Sequence, residues 1–417
     1  MKLQAETVVV VKWDGVYLDS LIEEGYEIIP IIDDFDEEIY IPWLQRNSSK
    51  IPFACRVPSV DSIDAICAVS TQIAQSLIPI KAVISTSEFS QFAAGLLKER
   101  LHCEGPSLDL VVRSRDKRAM KDLMLKHSIP CAKFLSFADK DSLLEESEQI
   151  AELGYPVIVK SPTGMGTKST VLVQSESELS QMIKDFSFDD SLLCKSFMVE
   201  QYIEGEEYYI DAVWEEHEPV AFLISKYLIP RIKIKLDEHN NGAITLDRDK
   251  HSGLYEEVLK FHRRVNHAFG ISRGVTHLEI FGSPTGVLYF SEIATRVGGG
   301  SAADVFKVKY GQSIQSLLVR QLKGAKLEAL ADNRPGVVGW INLSPKQSGI
   351  VKSIPDCEVL SRMPGILYLE SCLSVGDHFD ASHPSSWSLL LVLEAENEQE
   401  FLFKKDQLFS EFLYELQ

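Results

Sequence analysis

The sequence predicts a mixed α/β and α+β protein of several units, and three observations predict it. Residues 1 to 115 alternate strand and helix signals, the order that builds an open, Rossmann-like parallel sheet. Two later stretches, YPVIVKSPTGMGTKSTVLV and THLEIFGSPTGVLYFSEIA, each read as strand, glycine turn, strand. The remainder, from residue 335 on, mixes short strands with a final helix. A chain of 417 residues has room for roughly two to four domains and a substantial core.

In the first unit, 1–115, strands are expected at Val8–Lys12, Tyr26–Ile32 and Ala82–Ser85, and helices at Tyr17–Glu24, Asp61–Ser76 and Phe89–Leu101. No G-x-G-x-x-G follows the first strand, so no dinucleotide site is read there. Gly105-Pro106-Ser107 breaks the chain. The second unit, 116–202, opens with Asp116 as N-cap of a helix through Lys126. A helix over Asp141–Leu153, the first hairpin, a helix over Ser177–Phe186 capped by Ser177, and a strand at Phe197–Ile203 follow. The third, 203–334, carries strands at Tyr208–Trp214 and Pro219–Tyr227, a helix at Tyr255–Gly270, the second hairpin, and a helix from Ala302 to Leu322. Asn333-Arg334-Pro335-Gly336 marks the start of the fourth, 335–417, a small α+β unit ending in a helix over Glu398–Leu416.

Lys and Arg number 42 against 61 Asp and Glu, a net charge of −19. That balance argues against nucleic acid or an anionic membrane as partner, and leaves room for a small anionic ligand held by a local cluster. No apolar stretch approaches membrane-spanning length. The N-terminal MKLQAETVVVVKWDG reads as a first strand rather than a signal peptide. The seven cysteines are scattered and form no C-x-x-C pair, which fits a reducing cytoplasm better than a disulfide framework or zinc site. Cys103 and Cys194 suit small packing roles better than nucleophilic ones.

The second hairpin concentrates the chemistry. His277 and Glu279 point the same way along their strand. With Thr285-Gly286 as a two-residue turn, Glu279 falls opposite Glu292. Opposed carboxylates repel, and a hard divalent cation is the natural occupant between them. Arg296 and Gly298-Gly299-Gly300 follow and lead into a helix, an arrangement that offers backbone N–H groups to an anion. In the first hairpin, Gly166-Thr167-Lys168-Ser169 looks like part of a P-loop. A P-loop, however, needs Gly before the Lys and a helix after it, whereas here a β-branched strand follows. The segment reads as a flap: Gly164 and Gly166 admit an anion to the backbone, and Lys160 and Lys168 add charge. Lys226, Arg231, Lys233 and Lys235 form a basic stretch that suits a ligand and a solvated loop equally.

Taken in order, Lys117, Lys160, the glycine flap, Glu200 with Gly205-x-Glu207, and Glu279 with Glu292 thirteen residues later resemble the ATP-grasp ligases over roughly residues 1–330. The resemblance implies an ATP-grasp fold with a C-terminal lid-like domain of the carboxylase type. It also implies roles: Lys117 and Lys160 on the ATP phosphates, Gly164–Lys168 closing over them, Glu200 and Gln201-Tyr202-Ile203 at adenine, and Glu207 at the ribose. Glu279 and Glu292 would hold magnesium, with manganese as the alternative, and Arg296 the transferred phosphate. Many members carry Asn two residues after the second Glu; here that residue is Ala294, which leaves the number of metals open. His277-x-Glu279 with Arg296-x-Gly298-Gly299-Gly300 looks most like the branch that joins L-amino acids.

That branch implies phosphorylation of a carboxylate by ATP and attack by an amine on the acyl phosphate. Lys160, Arg296 and His277 are the catalytic candidates. Arg231, Lys226, His277, Arg296, Gly298 and Gly299 are the substrate candidates, and Glu370 and Asp377 could select a basic side chain. The partners implied are small amino acids, and relatives are commonly homodimers. Ligation of another carboxylate and amine, carboxylation from bicarbonate, and an ATP-binding module without turnover stay open as alternatives.

Overall fold

The structure is a computed structural model that describes residues 5–188, 195–236, 241–381 and 386–417. The first unit is a parallel sheet of β1 (Thr7–Val11), β2 (Glu27–Asp33), β3 (Cys55–Val57) and β4 (Ile80–Ser85), ordered β3-β2-β1-β4. Every residue of β1 is buried, as expected of a parallel strand covered on both faces. Strand order reverses between β1 and β4, so their carboxyl ends open a crevice suited to ligands. Lys12 and Glu88 lie at those ends. Gly105-Pro106-Ser107 leads directly into a helix absent from the expectation, Leu108–Arg115, with Ser107 as its N-cap. The next helix, Lys117–Lys126, starts where expected, its first amide bonds accepted by the Asp116 side chain.

A four-stranded antiparallel sheet follows, from β5 (Phe134–Phe137), β6 (Val157–Lys160), β7 (Thr170–Val173) and β8 (Phe197–Gln201), in the order β5-β8-β6-β7. Antiparallel pairing of β6 with β7 makes Ser161–Ser169 a hairpin flap rather than a P-loop. Alternation divides this sheet cleanly. Val157, Val159, Val173 and Val199 pack against Leu143, Ile150, Leu179 and Ile183, while Ile158, Lys160 and Glu200 face the other way, into a cavity. The helix after the flap is Glu176–Asp185, and its N-cap is Ser175 rather than Ser177: the Ser175 hydroxyl accepts from the Glu178 amide. The helix expected over 141–153 is two, Lys140–Glu145 and Ser147–Leu153.

The large sheet uses β9 (Glu206–Glu215), β10 (Glu218–Tyr227), β11 (Gly242–Thr245), β12 (Gly274–Gly282) and β13 (Leu288–Ala294). Beyond residue 335 come β14 (Val337–Leu343), β15 (Gly349–Ser353), β16 (Ile366–Ser371), β17 (His378–Phe379), β18 (Leu389–Ala395) and β19 (Glu415–Leu416). The eight-stranded order is β13-β12-β9-β10-β11-β14-β18-β16. The last unit is therefore less separate than the sequence suggested, because β14 pairs with β11 and carries β18 and β16 into the same sheet. The terminal helix ends at Glu411, and β19 returns to pair with β15.

One face of the large sheet buries Tyr208, Ile210, Ala212 and Trp214 beneath the helix Ser252–Phe269. The other buries Tyr209 and Val213 against the helices Ala302–Tyr310 and Ile314–Leu322. The single helix expected across 302–322 breaks at Gly311, whose φ of 70° lies in the left-handed region.

Candidate active site

The acidic hairpin has the expected pairing by an unexpected route. Glu279 lies opposite Glu292. The turn, however, is a longer loop: the Ser283 amide donates to Val287 O at 3.0 Å, and Gly282 pairs with Leu288. That loop shifts the register by one residue relative to a Thr285-Gly286 turn. A bulge at Ser291 shifts it back, so both carboxylates return to one row.

Glu279 and Glu292 line the cavity between the small sheet and the large one, with Lys117, Lys160, Gly164, Gly166, Glu200, Gln201, Tyr202, Ile203, Glu207 and Arg231. Twelve of the residues expected at a nucleotide, metal or substrate site thus share one wall system. Phe281, Phe290, Ile158 and Met165 add apolar surface. Lys117 ties the parts together: its ammonium lies 2.7 Å from Glu292 Oε2 and donates to the flap carbonyl of Gly164 at 2.7 Å.

Glu200 is gripped by two lysines. Lys160 donates to Oε1 at 2.5 Å, and Lys121 Nζ lies 3.1 Å from Oε2. Burial opposes ionisation of Glu200, yet these cations hold its carboxyl down to about 2. Lys121 is almost wholly buried and was not foreseen. It sits on the inner face of the Lys117 helix one turn on, and that periodicity was the available signal. The carboxylate of Glu207 accepts from the Arg231 amide at 2.7 Å. Burial, followed by the charge of Glu279, pushes Glu207 up to about 8. Four carboxyl groups, Glu200, Glu207, Glu279 and Glu292, thus share the cavity with Lys117, Lys121, Lys160 and Arg231.

Other expected residues lie outside this cavity. Lys226 is corrected outright. It is on the opposite face of β10 from Tyr227, which donates to Glu279 Oε1 at 3.0 Å. Lys226 instead pairs with Glu398 at 2.9 Å and Glu206 at 3.5 Å, so it is no candidate for the substrate. Lys168 is on the flap but not among the lining residues. Arg296 faces a second cleft, between β4 and the start of β12. Its Nε pairs with Glu88, which also pairs with Arg115. Two guanidiniums share one buried carboxylate, so the triad keeps a net positive charge. Arg115 also donates to the flap carbonyl of Thr163 at 2.9 Å.

His277 Nδ1 lies 2.9 Å from Asp211 Oδ1, and its Nε2 lies 3.6 Å from Glu279 Oε1. Burial pulls its pKa down, but Asp211 and Glu279 outweigh this and raise it to about 10. His277 is not among the residues that line the cavity with Glu279 and Glu292. Gly298 sits directly on the His277–Asp211 pair, whereas Gly299 is open on its side-chain face. Cys194 and the side chain of Lys235 lie outside the described residues; Cys103 is partly buried with its thiol pKa raised by burial.

Residues 153–304 match the family model described as an ATP-grasp domain. The chain therefore carries an ATP-grasp domain. It is 29% identical over 337 residues, 78% of each chain, to an L-arginine-specific L-amino acid ligase from Bacillus subtilis. Among solved structures, an L-amino acid ligase from Bacillus licheniformis superposes with a TM-score of 0.77 at 16% identity, covering 99% of both chains. The biotin carboxylase domain dimer of Hydrogenobacter thermophilus 2-oxoglutarate carboxylase, in complex with MgADP and bicarbonate, gives 0.69 at 16% identity, covering 99% of this chain and 91% of that one. These relatives and solved structures share the ATP-grasp domain with this chain and include ligases that act on L-amino acids.

The donor set fits a magnesium nucleotide. Magnesium is commonly held by one or two carboxylates, with phosphates and water completing its shell. Glu279 and Glu292 supply that number from one wall, and no larger His, Cys, Asp and Glu cluster occurs among the described residues.

Proposed function

We propose that the chain is an ATP-dependent carboxylate–amine ligase that joins two L-amino acids into a dipeptide, releasing ADP and phosphate. The observation that carries this reading is the convergence of Lys117, Lys160, Glu279 and Glu292 in one cavity beneath a glycine flap. The identity to the Bacillus subtilis amino acid ligase over most of both chains supports the branch.

In this reading Lys117 and Lys160 bind the ATP phosphates, and the backbone of Gln201–Ile203 with Ile158, Phe281 and Phe290 holds the adenine. Glu207 accepts from the ribose. Glu279 and Glu292 hold the magnesium ion, or manganese in its place, which when bound spreads the charge of the β- and γ-phosphates. The substrate carboxylate attacks the γ-phosphorus and ADP leaves, giving an acyl phosphate. The amine of the second amino acid then attacks the carbonyl, phosphate departs, and the nitrogen loses a proton to solvent or phosphate. Arg115 and Arg296, sharing Glu88, supply positive charge to the anionic groups. The flap keeps water from the acyl phosphate. The substrate side is Gly298 and Gly299 with the Arg296 cleft. Six unpaired cysteines among the described residues suit a reducing cytoplasm, and a homodimer is part of the reading because the carboxylase domain neighbour is described as one.

The test is release of ADP and phosphate in a matrix of amino acid pairs, with the amide product identified by mass spectrometry. Arginine is the first substrate to offer, since the Bacillus subtilis relative is named for it. Phosphate release should require two amino acids. Turnover with bicarbonate alone would overturn the reading.

A further inference from the structure

His277 and Asp211 occupy adjacent strands, β12 and β9, as directly opposed residues, and both are buried. Their side chains meet at 2.9 Å, from Nδ1 to Oδ1. The ring of Tyr209 lies against His277, with centroids 5.2 Å apart and planes inclined by 35°. The imidazole is thus fixed both in plane and in rotation. Its remaining nitrogen, Nε2, lies within ion-pair range of Glu279 Oε1 at 3.6 Å, and that oxygen accepts from Tyr227. The other oxygen of Glu279 is outside these contacts.

The loop that follows β13 constrains the same pair. A side-chain carbon on Gly298 would lie 2.6 Å from His277 Nδ1 and 3.0 Å from Asp211 Oδ1. Real side chains essentially never approach that closely, so the absence of a Cβ at 298 is a condition of the pair. On the far side, the residue opposite His277 in β13 is Ala294, which is too small to reach Glu279's row with a donor of its own. His277 is therefore the polar group next to Glu279 along that row, and Asp211 is what fixes it.

We propose that Asp211 is a positioning residue for Glu279, acting through His277: it holds the imidazole so that Nε2 orients the carboxylate toward a divalent cation. This rests on the reading of Glu279 as a metal-binding residue. Groups placed behind a metal-binding side chain in this way typically change metal affinity by about 10–100-fold when removed. Asp211 is not among the residues lining the nucleotide cavity, and Gly298 contributes by leaving the space that the pair fills.

The readout is Mn2+ binding to the protein–ADP complex, followed by the loss of the free Mn2+ signal in electron paramagnetic resonance, beside ADP affinity measured with chelator and no metal. Asp211→Ala is expected to weaken Mn2+ binding by about tenfold or more while metal-free ADP affinity stays within about twofold. Gly298→Ala, which wedges the same pair apart from the loop after β13, should likewise weaken Mn2+ binding. Asp211→Asn, which keeps the shape and drops the charge, carries the same expectation if the alanine variant does not fold. Wild-type Mn2+ affinity in Asp211→Ala and Gly298→Ala overturns the proposal, as does a parallel loss of metal-free ADP binding, the mark of a merely structural role. Glu279→Gln separates the two levels. If it binds Mn2+ as wild type does, the metal reading falls and the proposal with it; if it loses Mn2+ while Asp211→Ala does not, only the proposal falls.

Discussion

At the scale of single residues, the most consequential group is Glu200, clasped by Lys121 and Lys160. Removing one member of a buried ionic cluster leaves the others uncompensated, at a cost of about 3–5 kcal/mol. Glu200→Gln should lower unfolding free energy by that order in urea titrations at neutral pH. The acid dependence has a definite sign. The carboxyl is held at about 2 in the folded chain against an ordinary 4.5. A depressed pKa contributes stability above the unfolded value, and that contribution is lost as pH falls from about 4.5 toward 2. The wild type should therefore lose stability steeply across that window, and Glu200→Gln should lose less; equal slopes in the two proteins would refute the assignment. None of this was legible from residue 200 alone. A glutamate before Gln-Tyr-Ile looks like part of a nucleotide-binding strand, and its lysine partners come from a helix and a strand well upstream. Asp211 shows the opposite case. It shares a face with Glu207 by simple alternation, and strand parity would have placed it beside His277 had the pairing of β9 with β12 been known.

At the scale of elements, two short segments position the nucleotide cavity, and both depend on close backbone approach. Gly205 joins β8 to β9, and a Cβ there would come within 2.2 Å of Gly282 O at the end of β12. Gly205→Ala must push the hairpin away from the strand that would carry adenine. Overpacking of this kind costs about 1–3 kcal/mol, and nucleotide affinity by calorimetry should fall along with the melting temperature. An unchanged nucleotide affinity would show that the two strands are positioned independently. The hairpin also shows how a sequence can lead to the right contact through the wrong geometry. Thr285-Gly286 suggested a two-residue turn and so a Glu279–Glu292 pair. The loop is in fact longer and the bulge at Ser291 compensates, because both residues must face the cavity while Ser283 and Gly286 close the turn. Alternation within strands was legible throughout; bulges and loop lengths were not, since they depend on what the strand packs against.

At the scale of the whole molecule, Glu88 links the parallel sheet to the rest. Its partner Arg296 is 208 residues away, a separation no local pattern reveals. Burial disfavours the ionised Glu88, but Arg115 and Arg296 hold it at about 2. Glu88→Ala strands two arginines at the junction. Calorimetric unfolding, expected as a single transition in the wild type, should separate into two as the N-terminal unit melts first; one cooperative transition at the wild-type temperature would count against a coupling role. The path of the last unit was equally hidden. Its strands were legible, but their attachment through β11 and β14 was not, because hydrogen-bonded neighbours in that ladder are about a hundred residues apart.

That ladder bears on how the chamber opens. A segment hydrogen-bonded edge to edge into an eight-stranded sheet cannot swing away without breaking its backbone bonds, so β14, β18 and β16 move with the large sheet. Among the described residues the four-stranded sheet has no such ladder to its larger neighbour, and the links between them include the flap, the Lys117–Lys126 helix and the Phe290 amide donating to Pro130 O. Admission of substrates is then a one-sided movement, like a hatch on a rigid hull rather than a pair of jaws. The Lys117 bonds to Gly164 and Glu292 are the latch, and phosphates arriving in the chamber would compete for the same ammonium that keeps it shut.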